Sequence, residues 1–232
     1  MPKTKQRPIE LYYWSTPNGR KVSIMLEELG VPYAVTFVDI NAREQWTEAF
    51  EAVSPNHQIP ASRDPDGPGG QPIAVFESGA ILLYLGRKFG RLYPLDDERR
   101  RVAVEEWLIW QVASLGPFLG QAHHFNLQAP EEMPYAIERY RKIAHRLYTT
   151  LEKRLAGRDY VADEYSIADI AIYGWVWRHR RHHIDLADYP AVRRWFEAVG
   201  ERPAVMRGMA LIKPGHVDEA DPKPAWLKAA AG

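Results

Sequence analysis

Three short segments carry residue types suited to holding a reactive small molecule. The first is Thr16-Pro17-Asn18-Gly19, followed by RKVSIMLEELG, where Val22, Met25, Leu26 and Leu29 recur at helical spacing. Proline suits the first helical position because its missing N–H would be unpaired there anyway, and Thr16 before it is a good N-cap. A helix N-terminus presents unpaired N–H groups and partial positive charge, so a thiolate placed there is stabilised and a thiol's pKa falls. The Thr16 hydroxyl and the Asn18 amide would add hydrogen bonds to such an anion. Taken alone, TPNG is more simply a capped turn.

The second segment is Gln58-Ile59-Pro60. A cis Ile59–Pro60 bond would turn the Ile59 N–H and C=O outward as a short ladder for a peptide-like ligand, although trans is the commoner form. The third is Phe76-Glu77-Ser78-Gly79-Ala80. Ser78 as a helix N-cap would offer its hydroxyl and nearby N–H groups to a carboxylate, and Glu77 would pair with an ammonium group. Together these two fit an α-amino-acid head; alone, they are a cap and a charge that favours the helix dipole. A thiolate cradle, a peptide ladder and an amino-acid clamp in line match γ-glutamyl-cysteinyl-glycine. The chain contains no cysteine, so any thiol must arrive with the ligand.

The elements that would position these segments follow from the same pattern. IELYYW (9–14) reads as a strand, residues 17–29 as a helix closed by Gly30, and PYAVTFVDI (32–40) as a strand parallel to the first. A short helix near Gln45–Ala52 precedes a strand entered at Pro60, and QPIAVFE returns as its hairpin partner after the loop DPDGPGG, before a helix opening at Ser78. The order βαβ then ββα is thioredoxin-like, and it brings the three segments to one end of a mixed four-stranded sheet, the end that ligands favour. Beyond it, helices are expected near 98–116, 133–156, 166–182 and 189–201. The expected organisation is a flexible N-terminus over 1–7, an α/β thioredoxin-like ligand-binding domain over 8–90, a linker over 91–97, an all-α domain over 98–212 and a tail over 213–232.

Thirty basic residues balance thirty acidic ones, so there is no net field to recruit nucleic acid or an anionic membrane surface. The segment MPKTKQRPIE lacks a hydrophobic signal region and no apolar run approaches bilayer length, which predicts a cytoplasmic protein. Without cysteine there are no disulfides, thiolate zinc sites, CxxC pairs or cysteine nucleophiles. His123-His124 and the run RHRRHH, with His179 and His183 at i, i+4, invite a metal reading. No carboxylate joins them in a ligand pattern, and a basic helix end complements the dipole, so no metal is expected. Ser166 and Asp169 form a structural capping-box pattern, and Arg139 is a candidate partner for a ligand carboxylate.

These segments carry a resemblance. TPNGRKVSIMLEELG (16–30), SPNHQIPA (54–61), DPDGPGG (64–70), FESGAILLYL (76–85), WLIWQVASLGPFLGQAHHF (107–125), PYAIERY (134–140) and YSIADIAIYGWVW (165–177) span most of the chain. On them the chain resembles the glutathione transferases, and specifically the bacterial Nu-class members that act as glutathione-dependent disulfide-bond reductases. FESGAILLYL marks only the superfamily; TPNG in place of a catalytic Tyr, Ser or Cys, joined to GQAHHF and PYAIERY, is the selective part.

The resemblance implies that Thr16 and Asn18 surround a glutathione sulfur and that Gln45, Ile59, Glu77 and Ser78 hold the first tripeptide. It implies that Arg139 helps to hold a second one, and that a residue near Glu106 reaches the partner's site in a homodimer. Glutathione would be a co-substrate, two molecules or one oxidised glutathione per site, acting on a small disulfide or electrophile. There are two departures from the family pattern: His57-Gln58 stands where it runs Asn-Lys, and Glu106 replaces a polar amide. The first removes a cation near a glutathione carboxylate, and the second adds an anion. The alternatives are a conjugating transferase or a glutathione-dependent peroxidase, in which the same thiolate attacks carbon or a peroxide, and a non-catalytic glutathione-binding interaction protein.

Overall fold

Residues 6–216 are described by the structure, a computed structural model. They form two compact units, one made of the chain up to Tyr93 together with the segment from Arg202 onward, the other of Pro94–Glu201.

In the first unit, β1 (Ile9–Tyr13) buries Ile9, Leu11 and Tyr13 on alternate positions. It runs into α1 (Pro17–Leu29), which ends at Gly30 with φ 67 in the left-handed region where glycine costs least. β2 (Tyr33–Phe37) lies parallel to β1, and the hairpin β3 (Ala61–Asp64) and β4 (Ile73–Phe76) pairs antiparallel on its other side. The sheet order β2-β1-β3-β4 is the expected mixed thioredoxin-like arrangement. α3 (Ser78–Phe89) is tied to β3 by buried Asp64, which accepts from the Tyr84 hydroxyl at 2.5 Å and from Lys88. The expected short helix near 45–52 is a 3₁₀ turn at Glu44–Trp46 followed by α2 (Glu48–Glu51).

The helical domain expected over 98–212 loses its last segment to this unit. α9 (Pro203–Ala210) belongs with the sheet domain and packs against α1. A Cβ on Gly208 would meet the Ile24 backbone at 2.6 Å, so only glycine permits the approach, and the Ser23 hydroxyl donates to the Gly208 carbonyl at 2.8 Å. Arg202 grips Glu28 through two hydrogen bonds of 2.7 and 3.0 Å, and the Tyr13 hydroxyl donates to the Leu211 carbonyl at 2.9 Å.

The second unit is helical. α4 (Glu98–Trp110) passes through a π turn at Gln111–Leu115 into α5 (Gly116–His123), so the run continues past the expected stop at 116. Pro117 lacks the N–H that a regular turn would use, and the wider turn accommodates it. α6 (Pro134–Leu155) and α8 (Pro190–Gly200) follow the expected spans, and α7 (Ile167–Val176), buried along its whole length, stops short of 182. A separate 3₁₀ turn carries His179–His182, and His183 has φ 57, so His179 and His183 do not share a regular α-helical face. The Ser166–Asp169 capping box is present.

No helix among the described residues is long and apolar enough to cross a membrane. The flexible N-terminus expected over 1–7 lies outside the described residues except for Gln6 and Arg7, and the Arg7 N–H donates to Asp66 at 3.0 Å. Of the tail expected over 213–232 only residues 213–216 are described; Lys213 donates to Asp39 at 3.3 Å.

Candidate active site

At the start of α1, the Thr16 side chain accepts from the Gly19 N–H at 3.1 Å, which makes it the expected N-cap, with Pro17 in the first turn. Gly19 is required by space: a Cβ there would sit 2.2 Å from the Trp14 carbonyl oxygen. Asn18, the residue before it, lines a cleft shared with Ile59, Glu77 and Ser78.

Facing Asn18 across this cleft is the loop before β3. The Ser54 hydroxyl donates to the Gln58 carbonyl at 2.8 Å, the Asn56 amide donates to the Gln58 side chain at 3.1 Å, and Ile59 is joined to Pro60 by a cis peptide bond. Gln58 therefore lines the cleft as a neutral amide. His57, at φ 52, turns its ring away to stack on Trp46 with 4.5 Å between centroids, and its Nδ1 lies 3.0 Å from the Gln45 carbonyl oxygen. His57 thereby anchors the turn that carries Gln45.

The third wall is the start of α3, where the sequence expectation needs correction. Ser78 is the first helical residue and Glu77 is the N-cap, without a side-chain capping bond. Glu77 holds φ 68 and ψ 115, a conformation that costs a non-glycine residue about 1–3 kcal/mol and tends to persist at ligand clamps. Its side chain is exposed, whereas Ser78 is 6% exposed. The first N–H groups of α3 have no acceptor within the helix, which makes this end of the cleft an anion site in principle.

Lys21 was not singled out in the sequence and stands beside this wall. It is 1% exposed, and its Nζ donates to the Ser78 Oγ at 3.2 Å. Burial lowers its pKa to about 7, against an opposing pull from the Glu77 carboxylate. The spacing of Val22, Met25, Leu26 and Leu29 suggested one apolar face, but α1 buries residues around most of its circumference, Arg20, Lys21 and Ser23 included. The available signal was a lysine one turn beyond Asn18 in a helix that also packs against α9.

The structure thus brings Asn18, Ile59, Glu77 and Ser78 to one cleft, with Thr16 two residues before Asn18 and Gln45 one hydrogen bond from His57. Glu106 and Arg139 lie on the second unit, exposed on α4 and α6. Among the described residues, no group of three or more His, Cys, Asp or Glu side chains is arranged to hold a metal ion.

Comparison with known proteins agrees with this geometry. Residues 16–88 match the glutathione S-transferase N-terminal domain, and residues 134–198 match the glutathione S-transferase C-terminal domain. The chain is 48% identical over 213 residues to the disulfide-bond oxidoreductase YfcG of Escherichia coli (strain K12), covering 91% of this chain and 98% of that protein. A Pseudomonas putida glutathione transferase with one glutathione disulfide bound per subunit superposes with a TM-score of 0.85 at 41% identity, covering 92% of this chain and 95% of that one. A Burkholderia graminis glutathione transferase with two glutathione molecules per subunit gives a TM-score of 0.85 at 40% identity over 92% of each chain. The chain belongs to the glutathione transferase family.

Proposed function

We propose that this protein is a glutathione-dependent disulfide-bond reductase that uses two bound glutathiones, or releases them as one oxidised glutathione. The observation that carries the reading is a cleft joining Asn18, at a helix N-terminus, to Glu77 and Ser78, in a chain with no cysteine thiol. In this reading Thr16 and Asn18 surround the first glutathione sulfur. Gln45 and Ile59 hold the tripeptide, and Glu77 and Ser78 take its γ-glutamyl head. Arg139 helps to hold the second glutathione, and Glu106 reaches the partner's site in a homodimer. A cytoplasmic location fits the reaction, since glutathione is kept reduced there.

The first glutathione, as a thiolate, attacks one sulfur of the substrate disulfide. The S–S bond breaks, one half departs as a thiolate, and a glutathione–substrate mixed disulfide forms. The second thiolate attacks the glutathione sulfur of that intermediate, so oxidised glutathione forms and the other half departs. Two electrons pass from two glutathiones to one disulfide, and the protons lost by the glutathione thiols end on the departing ones. The protein contributes by lowering the thiol pKa and by holding both sulfurs close. The name of the Escherichia coli relative supports this reading, as do one glutathione disulfide and two glutathiones in the two solved relatives, the occupancies that the reaction requires.

The test is steady-state reduction of a small hydroxyalkyl disulfide by glutathione, run beside conjugation to an activated aryl halide. Fast reduction with weak conjugation is expected. The reverse would make the protein a conjugating transferase, and silence in both a binding protein. Asn18→Ala should lower kcat/KM for reduction by about 100-fold, as loss of a donor to a developing anion does, while Thr16→Ser stays within about threefold. Negligible effects in both would undo the assignment.

A further inference from the structure

We propose that Lys21 is a positioning residue for the ligand's α-carboxylate: its ammonium group, buried behind Ser78, polarises the Ser78 hydroxyl and supplies the counter-charge for the anion that the hydroxyl binds. The proposal rests on the reading of Glu77 and Ser78 as the clamp for the γ-glutamyl head.

Lysine is almost never fully buried without a compensating partner, because removing an ammonium from water is costly. Lys21 is 1% exposed, with the Ser78 Oγ among its partners, and it lies one turn along α1 from Asn18, on the side that meets α3.

An ammonium carries only donors, so in the 3.2 Å contact between Lys21 Nζ and Ser78 Oγ the serine oxygen is the acceptor. The Ser78 O–H is then available to donate elsewhere, and Ser78 lines the cleft. A carboxylate oxygen there would receive that O–H and the unpaired N–H groups at the start of α3. Lys21 donates to Ser78, and Ser78 donates to the ligand.

The surrounding charges support the assignment. On α3's N-cap, Glu77 is the carboxylate whose field reaches Lys21. On α9, Arg207 is paired with Glu27 and Arg202 with Glu28; on β1, Glu10 faces Arg63 at 3.6 Å; on α1 itself, Arg20 is the adjacent cation. Burial holds the Lys21 pKa near 7, so a second anion beside Ser78 would draw a proton onto the amine.

The experiment uses S-methylglutathione, which has no ionisable thiol, and its 4-aminobutyryl analogue, which lacks only the γ-glutamyl α-carboxylate. Affinities for both are measured calorimetrically with the wild-type protein and Lys21→Met. The variant should bind S-methylglutathione about 30-fold more weakly and the analogue within about twofold of wild type. Equal weakening of both ligands, as loss of mere structural support would produce, overturns the proposal, and so does no weakening of either. A wild-type protein that binds neither ligand overturns the underlying reading of the clamp. If Lys21→Met does not fold, the wild-type protein decides. At about pH 8, calorimetry in two buffers of different ionisation enthalpy should show uptake of most of a proton with S-methylglutathione and none with the analogue. No uptake with either overturns the proposal.

Discussion

Asp169 in the second unit and Lys21 in the first are both withdrawn from water, at 0% and 1% exposure, but their surroundings differ. Asp169 accepts from the Val161 N–H at 3.1 Å, the Ser166 N–H at 3.0 Å, the Ser166 hydroxyl at 3.2 Å and the Trp195 Nε1–H at 2.9 Å. Donors of this chain surround the carboxylate and join the start of α7 to α8 and to the Val161 loop. Lys21 instead reaches Ser78, whose other side faces a cleft. A buried charge enclosed by its own chain fixes a fold, whereas one placed behind a cleft wall adds its field to whatever enters.

The largest effect should come from breaking the enclosed charge. Asp169→Ala leaves buried N–H donors of Val161 and Trp195 without their acceptor and removes half of the capping box. It should cost about 4 kcal/mol in urea unfolding. Affinity of the remaining folded protein for S-methylglutathione should stay at the wild-type value. A loss under about 1 kcal/mol, or a parallel loss of affinity, would break the contrast between a structural and a functional buried charge.

Lys21 makes the complementary prediction, in pH. Its folded pKa of about 7 lies below the ordinary lysine value of 10.5, so between those values the unfolded chain binds more protons and stability rises with pH. The penalty for burying the ammonium is full below about pH 7 and fades toward pH 10. Lys21→Met removes it, so the variant's stability advantage should be greatest at about pH 6 and shrink by about 4 kcal/mol by pH 10, followed by urea melts. Asp169, whose carboxyl burial raises to about 6, titrates alike in both proteins, so its contribution cancels in the difference. Parallel pH profiles for the two proteins would show that Lys21 does not titrate there.

How far the sequence revealed these features depended on whether their cause was local. The Thr16 cap, the Gly30 stop and the Ser166–Asp169 box are set by residues within a turn of one another, and each is found as read. Ser78 was misplaced by one position because Glu77 takes the cap at positive φ, a strain that no propensity favours. The return of α9 to the sheet domain depends on Gly208 meeting Ile24, a contact 184 residues apart in sequence, and the Ser23–Gly208 bond spans 185. Burial of Lys21 is likewise tertiary: α1 meets α9 and α3 and is buried around most of its circumference, which leaves the lysine no solvated face to occupy. The candidate cleft was legible as a set of residues; its buried cation was not.

Thr16 sharpens the comparison at the smallest scale, because it repeats the logic of Ser78 with a neutral donor. Its oxygen accepts from the Gly19 N–H at 3.1 Å, which leaves the O–H to donate outward beside Asn18. Thr16→Ala loses both functions. It should cost about 1 kcal/mol of stability as a lost N-cap, read from the melting transition, and raise the thiol pKa of bound glutathione, read from thiolate absorbance as pH is varied. Thr16→Ser retains both bonds and should change neither. If Thr16→Ala lowers stability but leaves the thiol pKa where it was, the hydroxyl is a cap alone, and stabilising the sulfur falls to the Asn18 amide and the positive end of the α1 dipole.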